Sequence, residues 1–381
     1  NMNRITIKTL AQQLGLSIAT VSKALKDSYE ISAETKSRVL LLAKDLNYVP
    51  NPYASSLRKQ QSNTIAVILP DVADNFFSLA IQGIHSIAVA KNYHVLIYLS
   101  HESFEVESKA LQHCSSGRVD GVLVSVSNET TNTEHFEKLK KENIPLVFFD
   151  RNIEKFPVPK VITNDYECGE TAAKTLVAQG CKNPVFFSTS ESLSICTKRY
   201  SGFISAVAKM GLSVNDRQFI INCNNNNKSI TSQIQCILNK RPHIDGIVAS
   251  VEKLAIHTYQ VCHNIGVKIP EDLKVIAFST LETASILNPS LTTICQPAFD
   301  IGWGAAEILF SMIEKKREIR QEDFTLILPS SLIERDSTRS THQRETKLLH
   351  TLQNDQSVGQ SNHGERIFFT TEMSRRLMNE L

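Results

Sequence analysis

From residue 64 to residue 280 the chain alternates short, nearly continuous apolar runs with helical stretches, and few folds accept that pattern. The runs are TIAVILPD, YHVLIYLS, DGVLVSVS and IPLVFFD before residue 151, then NPVFFSTS, QFIINC, DGIVAS and LKVIAFST after residue 160. A strand with one wet face alternates apolar and polar residues, whereas unbroken Val, Ile and Phe belong to parallel strands covered on both faces. Helical stretches such as 77–91, 104–116, 167–179 and 199–210 supply the covers. The pattern predicts two doubly wound α/β units, in which ligands bind beyond the carboxyl ends of the strands.

Those strand ends carry the candidate ligand residues. Asp74, Asn75, Phe76 and Phe77 follow the first run, Ser125 closes the third, and Asp150 with Arg151 closes the fourth. Phe76 or Phe77 either stacks on a ligand ring or fills the core at a helix start. Asp165 stands in TNDYECG.

With 381 residues the chain exceeds one ordinary core and predicts two or three domains. No apolar run reaches the roughly 20 residues needed to cross a bilayer. The opening NMNRITIKTL lacks the apolar centre of a secretory signal, so a cytoplasmic protein without a membrane partner is expected. The eight cysteines make no C-x-x-C pair, which predicts reduced, partly buried thiols rather than zinc or redox sites. The chain lacks G-x-x-x-x-G-K-[ST], H-E-x-x-H and G-x-S-x-G, so catalysis is not expected, and no cofactor or metal is called for. Asp71, Asp74 and Asp150 imitate an acid/base set, but solvation or ligand binding is the preferred reading.

The formal charge of +2 is unevenly spread: residues 1–61 hold nine Lys or Arg against four Asp or Glu, leaving them at +5 and the remainder at −3. A basic segment on a mildly acidic body suits a polyanion, although a solvated lysine face has the same composition. Thr6 can cap a helix over Ile7–Leu14, Gly15 can end it, Ser17 can cap Ile18–Lys26, and Ser32 can cap a third helix reaching about Asn47. Two short helices about a glycine turn, braced by a third, make a helix-turn-helix. Leu14, Leu16, Val21 and Ala24 read as core, while Ser17, Ile18, Ala19, Thr20, Ser22 and Lys23 form a slim outward face. Such a face can approach base edges in a major groove, and hydroxyls at a helix start suit phosphate oxygens.

Residues 47–64, NYVPNPYASSLRKQQSNT, sharpen this reading. Pro50 and Pro52 end the third helix and permit a new one of about seven residues from Asn51 or Pro52. A helix so short is marginal alone and needs a partner. Two copies across a dimer axis in a minor groove would supply one, with Leu57 beside Arg58 and Lys59 as an apolar wedge.

The order TIKTLAQQLGLSIATVSKAL, YVPNPYASSLR, TIAVILPD resembles the lactose/galactose repressor (LacI-type) family of bacterial transcription regulators, over Thr6 to about Asp336. The resemblance implies that Ile18, Ala19 and Lys23 read bases, that Thr6, Ser17, Thr20, Ser22, Tyr48, Asn51 and Arg58 belong to the DNA-contacting set, and that Leu57 is a hinge-helix wedge. It implies a helix-turn-helix head over 1–50, a hinge helix and linker over 51–62, and a two-lobed, periplasmic-binding-protein-like effector and dimerisation domain over 63–337. The first lobe would comprise about 63–161 and 295–323, the second about 162–294 and 324–337, with crossings near 161–163, 290–297 and 323–327. Arg199 in KRYSGF matches the family's R-x-x-G-[FY] element, in which the arginine binds the effector, and Gln296 lies on a crossover.

Two departures bear on the effector. Sugar-binding members have A-N-D where this chain has Ala249-Ser250-Val251, and G-[FY]-D where it has Ala277-Phe278-Ser279. The strong hydroxyl acceptors are therefore absent or weakened, with Ser250 and Ser279 in two of their places, while Asp150, Arg199 and Gln296 remain; Glu252 either restores an acceptor nearby or is solvated. A carbohydrate or derivative leads as the effector class, with a carboxylated or phosphorylated ligand facing Arg199 as the other possibility. Residues 338–381 lie past the family's usual end; they are expected to be flexible, and their separated leucine clusters sustain no heptad.

The resulting expectation is a homodimeric regulator, a repressor by preference, that grips a pseudo-palindromic double-stranded operator under control of a small molecule between the lobes. The alternatives are a sugar receptor without a DNA role, a constitutive architectural DNA binder, and an activator of catabolic genes.

Overall fold

The structure is a computed structural model that describes residues 5–48, 61–115, 117–223, 227–314 and 324–339. The head holds α1 (Ile7–Leu14), α2 (Ile18–Leu25) and α3 (Ala33–Asp45). Thr6, Ser17 and Ser32 each accept a backbone N–H three residues on, and Gly15 ends α1 in the left-handed region at φ 65°. Leu10, Ala11, Val21, Ala24, Val39 and Ala43 form its core, with Leu14 and Leu16 packed partly buried around them.

The first lobe runs through β1 (Thr64–Leu69), α4 (Asn75–Ala90), β2 (His94–Leu99), α5 (Phe104–Cys114), β3 (Gly121–Val124), α6 (Glu134–Lys141), β4 (Leu146–Phe149) and β5 (Lys160–Thr163). The second holds α7 (Asp165–Ala178), β6 (Pro184–Ser188), α8 (Ser194–Lys209), β7 (Gln218–Ile220), α9 (Asn227–Lys240), β8 (Gly246–Ala249), α10 (Glu252–Ile265), β9 (Lys274–Phe278) and β10 (Thr292–Cys295). The chain then returns as α11 (Ala298–Ile313) and β11 (Thr325–Leu328), and its last described strand is β12 (Ser331–Ile333). The sheet orders are β11-β5-β4-β3-β1-β2 and β12-β10-β9-β8-β6-β7. All pairs are parallel except β10 with β12.

The unbroken apolar runs have a direct cause. Val67, Leu123, Val147 and Phe149 pack on one face of the first sheet, while Ile68, Val122, Val124 and Phe148 pack on the other. Neighbouring residues of the inner strands β1, β3 and β4 thus enter different cores, and neither side of these strands reaches water.

The chain crosses between lobes after Thr163, at 296–297, and at 329–330. The third crossing falls later than the expected 323–327. Thr325 to Leu328 pair in register with Lys160 to Thr163, and Leu328 enters the first lobe's core, so 325–328 belong to the first lobe instead of the second. For the same reason Ile162 and Thr163 lie in the first sheet, and Thr292–Cys295 stay in the second.

Each lobe is braced by one close helix pair. A Cβ at Gly83 would lie 2.1 Å from Phe299 O, and one at Gly302 1.9 Å from Ala80 O, so α4 and α11 touch through backbone. In the second lobe Gly169 and Gly202 do the same for α7 and α8, against Arg199 O and Tyr166 O.

Candidate DNA-binding head and interlobe cleft

On α2, Ile18 is 41% exposed, Ala19 and Lys23 are exposed, and Thr20 and Ser22 are half-buried. Ser17 Oγ accepts from Thr20 N at 3.0 Å and lies 2.8 Å from Thr20 Oγ1, so both hydroxyls close the helix start. The Lys23 ammonium pairs with the Glu30 carboxylate from the loop beyond α2. Thr6 caps α1 in a reciprocal box with Thr9. Tyr48 is half-buried against the head's core, and burial raises its phenol above the usual range. Asn51, Leu57, Arg58 and the expected hinge helix lie outside the described residues, as does the tail beyond Arg339.

The cleft between the lobes gathers side chains from the strand ends of both. Asp74, Phe76, Phe77, Asp150, Arg151, Arg199, Ser279 and Gln296 all line it. Asp74 Oδ1 accepts from Phe76 N at 2.9 Å, capping α4 at the end of the β1 loop. Arg199, on α8, donates from Nε to Asp165 Oδ1 at 2.7 Å and from Nη1 to Ser250 O at 2.6 Å. Its guanidinium carbon sits 4.1 Å from the centre of the Phe278 ring, and its buried Nη2 has no hydrogen-bond partner. Arg151 Nη1 donates to both Glu102 oxygens, at 2.8 and 2.9 Å, and its buried Nε makes no hydrogen bond.

Asp150 follows β4 in the left-handed region, at φ 58°, which turns its carboxyl into the cleft wall. Gln296 Nε2 donates to it at 3.4 Å, across the lobes. Burial pushes the Asp150 carboxyl up to about 7 against the opposing pull of Arg151 and Arg199. Asp74 is raised by burial, and Glu252 by burial and by the charge of Asp74. Burial opposes the charge of each arginine, yet their carboxylate neighbours hold both protonated. Asn75 Nδ2 joins the lobes by donating to Thr280 O at 2.6 Å.

Four expected residues do not line the cleft, among them Asn75, whose amide is spent on Thr280. Asp165 stands behind Arg199, Ser250 offers it a carbonyl, and Ser125 is buried with its hydroxyl unpartnered. Glu252 is on the wall, accepting from Ser279 Oγ at 2.7 Å. Sequence reading missed Ile195, Val251, Phe278 and Thr280 in the wall, and Glu102 behind it. Phe278 and Thr280 end the run LKVIAFST, so the strand-end rule reaches them; Ile195 carries no such signal.

A helix-turn-helix joined to two doubly wound lobes, with a polar cleft at their strand ends, defines a ligand-responsive DNA-binding regulator. Residues 62–334 match the model for periplasmic binding proteins and the sugar-binding domain of the LacI family, and residues 6–51 match that for bacterial regulatory proteins of the lacI family. The chain belongs to the LacI family: it is a transcriptional repressor of that type and not an enzyme. It is 28% identical over 334 residues to the ribose operon repressor of Halalkalibacterium halodurans, covering 88% of this chain and 97% of that one. Catabolite control protein A of Priestia megaterium is 28% identical over 314 residues, covering 82% and 93%. In fold, the lac repressor dimer bound to operator and the anti-inducer ONPF superposes with a TM-score of 0.77 at 20% identity, over 89% of this chain and all of the other. A LacI-family regulator from Silicibacter pomeroyi gives 0.74 at 23% identity, over 88% of this chain and all of that one. Among the described residues, no helix is long and apolar enough to cross a membrane.

Proposed function

We propose that this repressor acts in the cytoplasm as a homodimer on a pseudo-palindromic operator, and that a hydroxyl-rich small molecule, a carbohydrate or derivative, binds between its lobes and sets its grip. The observation that carries the cleft reading is Arg199. Its side chain is only 2% exposed, it is tied down through Nε and Nη1, and its free Nη2 lacks an acceptor at a wall that both lobes build. An unsatisfied buried guanidinium N–H costs stability, and a ligand oxygen would remove that cost. Ile18, Ala19 and Lys23 are the residues proposed to read bases, with Thr6, Ser17, Thr20, Ser22, Tyr48, Asn51 and Arg58 on the backbone and Leu57 as wedge.

A second copy is favoured by β2, which ends its sheet and leaves Leu96 and Ile97 exposed by 41% and 43%. An open apolar strand edge is a surface in need of cover. Two heads on a two-fold axis would then meet half-sites one duplex turn apart. Ligand changes operator affinity only by binding one lobe arrangement better than another, and that difference decides between inducer and corepressor. Selection of duplexes from a random pool by the purified chain tests the reading. Enriched sequences should share an inverted repeat and lose affinity steeply with salt. A pool that stays random, with the dimer intact, would overturn it.

A further inference from the structure

The cleft's cations already have partners. Arg151 holds Glu102 through both carboxylate oxygens, and Arg199 holds Asp165 at 2.7 Å. Both counter-ions are outside the lining set, while three more carboxyls, Asp74, Asp150 and Glu252, are in it. Each is thinly served. Asp74 receives Phe76 N, Glu252 receives Ser279 Oγ, and Asp150 receives Gln296 at 3.4 Å with Arg151 Nε at 3.9 Å. Two buried donors, Arg199 Nη2 and Arg151 Nε, lack acceptors beside this acidic wall.

A ligand that completes this site needs oxygens for the arginines and positive charge for the carboxylates. A phosphate or carboxylate would serve the two donors but would stand against three acids drawn from both lobes. A neutral sugar would serve the donors and leave the like charges facing one another in a medium of low dielectric. We propose that the effector is an amine-bearing polyol of the amino-sugar class, its ammonium held between Asp74 of the first lobe and Glu252 of the second, its oxygens taken by Arg199 and Arg151. The proposal rests on the cleft being the effector site. Burial is the main cause that raises all three carboxyls, and a cation placed beside them would favour their charged form. An ammonium bridging Asp74 and Glu252 also joins the lobes, giving the ligand a way to prefer one arrangement.

A matched set of ligands tests this on the full chain: pentoses and hexoses as the free sugar, the amino sugar, its N-acetyl form and the sugar phosphate, ranked by thermal shift and titration at pH 7.5. The amino sugar should bind best, about tenfold or more ahead of its N-acetyl form, because acetylation removes the charge and keeps the oxygens. Glu252→Gln should narrow that ratio to about threefold or less. A neutral sugar or a phosphate that binds best overturns the amine proposal and leaves the cleft as the effector site. No shift from any arm, by a chain that melts cooperatively, overturns both.

Discussion

Asp120 ties the start of the effector domain to the entry of β3. Its Oδ1 accepts from Ser62 N at 2.7 Å and from Ser62 Oγ at 2.9 Å, and its Oδ2 accepts from Asn63 N at 2.9 Å. The second lobe repeats the device: Asp245 accepts from Lys182 N at 2.7 Å and Asn183 N at 2.8 Å, ahead of β6. The repeat is visible in the chain as RVDGVLVSV and HIDGIVASV. In the second lobe the clasp only seats a strand, whereas in the first it holds the residues through which the head is attached.

Asp120→Ala is therefore expected to weaken communication between cleft and head. Both variants, Asp120→Ala and Asp245→Ala, strip partners from two backbone N–H groups and should each cost about 1–3 kcal/mol. Only the first should also shrink the ratio of operator affinities with and without ligand. Equal ratios in the two variants would assign Asp120 a strand-seating role alone.

Lys23 is held by Glu30 in the free head, so the cation must leave that carboxylate to reach a base edge. Glu30→Gln is expected to tighten operator binding by a modest factor, since an exposed pair is worth about 0–1 kcal/mol. Lys23→Ala should cost about 1–3 kcal/mol at one or two base positions. A uniform loss across all duplexes would make Lys23 a phosphate contact.

Gly202 explains the glycine of the RYSGF element mechanically. A Cβ there would meet Tyr166 O at 1.8 Å, and Arg199 lies one turn earlier on the same helix, facing Asp165. Gly202→Ala should separate α7 from α8, cost about 1–3 kcal/mol or more, and weaken ligand binding through Arg199. Ser201→Ala, at an exposed neighbour, should leave the melting temperature unchanged. A Gly202→Ala protein that melts and binds like its parent would remove the close contact from the argument.

Local signals carried the head and most of the sheets. Caps at Thr6, Ser17 and Ser32 and the left-handed Gly15 are decided within four residues, and the strand runs by burial on both faces. The crossing at 329–330 was missed because β11 and β12 are short strands with only two residues between them, and only pairing across the sheets separates them. Pairings of Arg151 with Glu102 and Arg199 with Asp165 span 49 and 34 residues, so no local pattern encodes them. They matter most, since they turn two arginines that look free for an anionic ligand into cations already matched.

Asp150 makes the ligand-free protein's stability depend on pH in a defined direction. Burial lifts its carboxyl to about 7 in the folded chain, with Arg151 and Arg199 pulling it down and Asp165 and Asp74 pushing it up, from near 3.9 when unfolded. Between those values the native state binds the extra proton, so stability falls as pH rises from about 4 to 7 and levels off above that window. Asp74 and Glu252, raised in the same sense, add to the slope. Asp150→Asn removes this residue's share: denaturant melts should show the variant gaining on its parent across the window, by at most about 4 kcal/mol. A difference between variant and parent that stays constant from pH 5 to pH 8, the working range of such a titration, would mean that Asp150 ionises normally in its buried site.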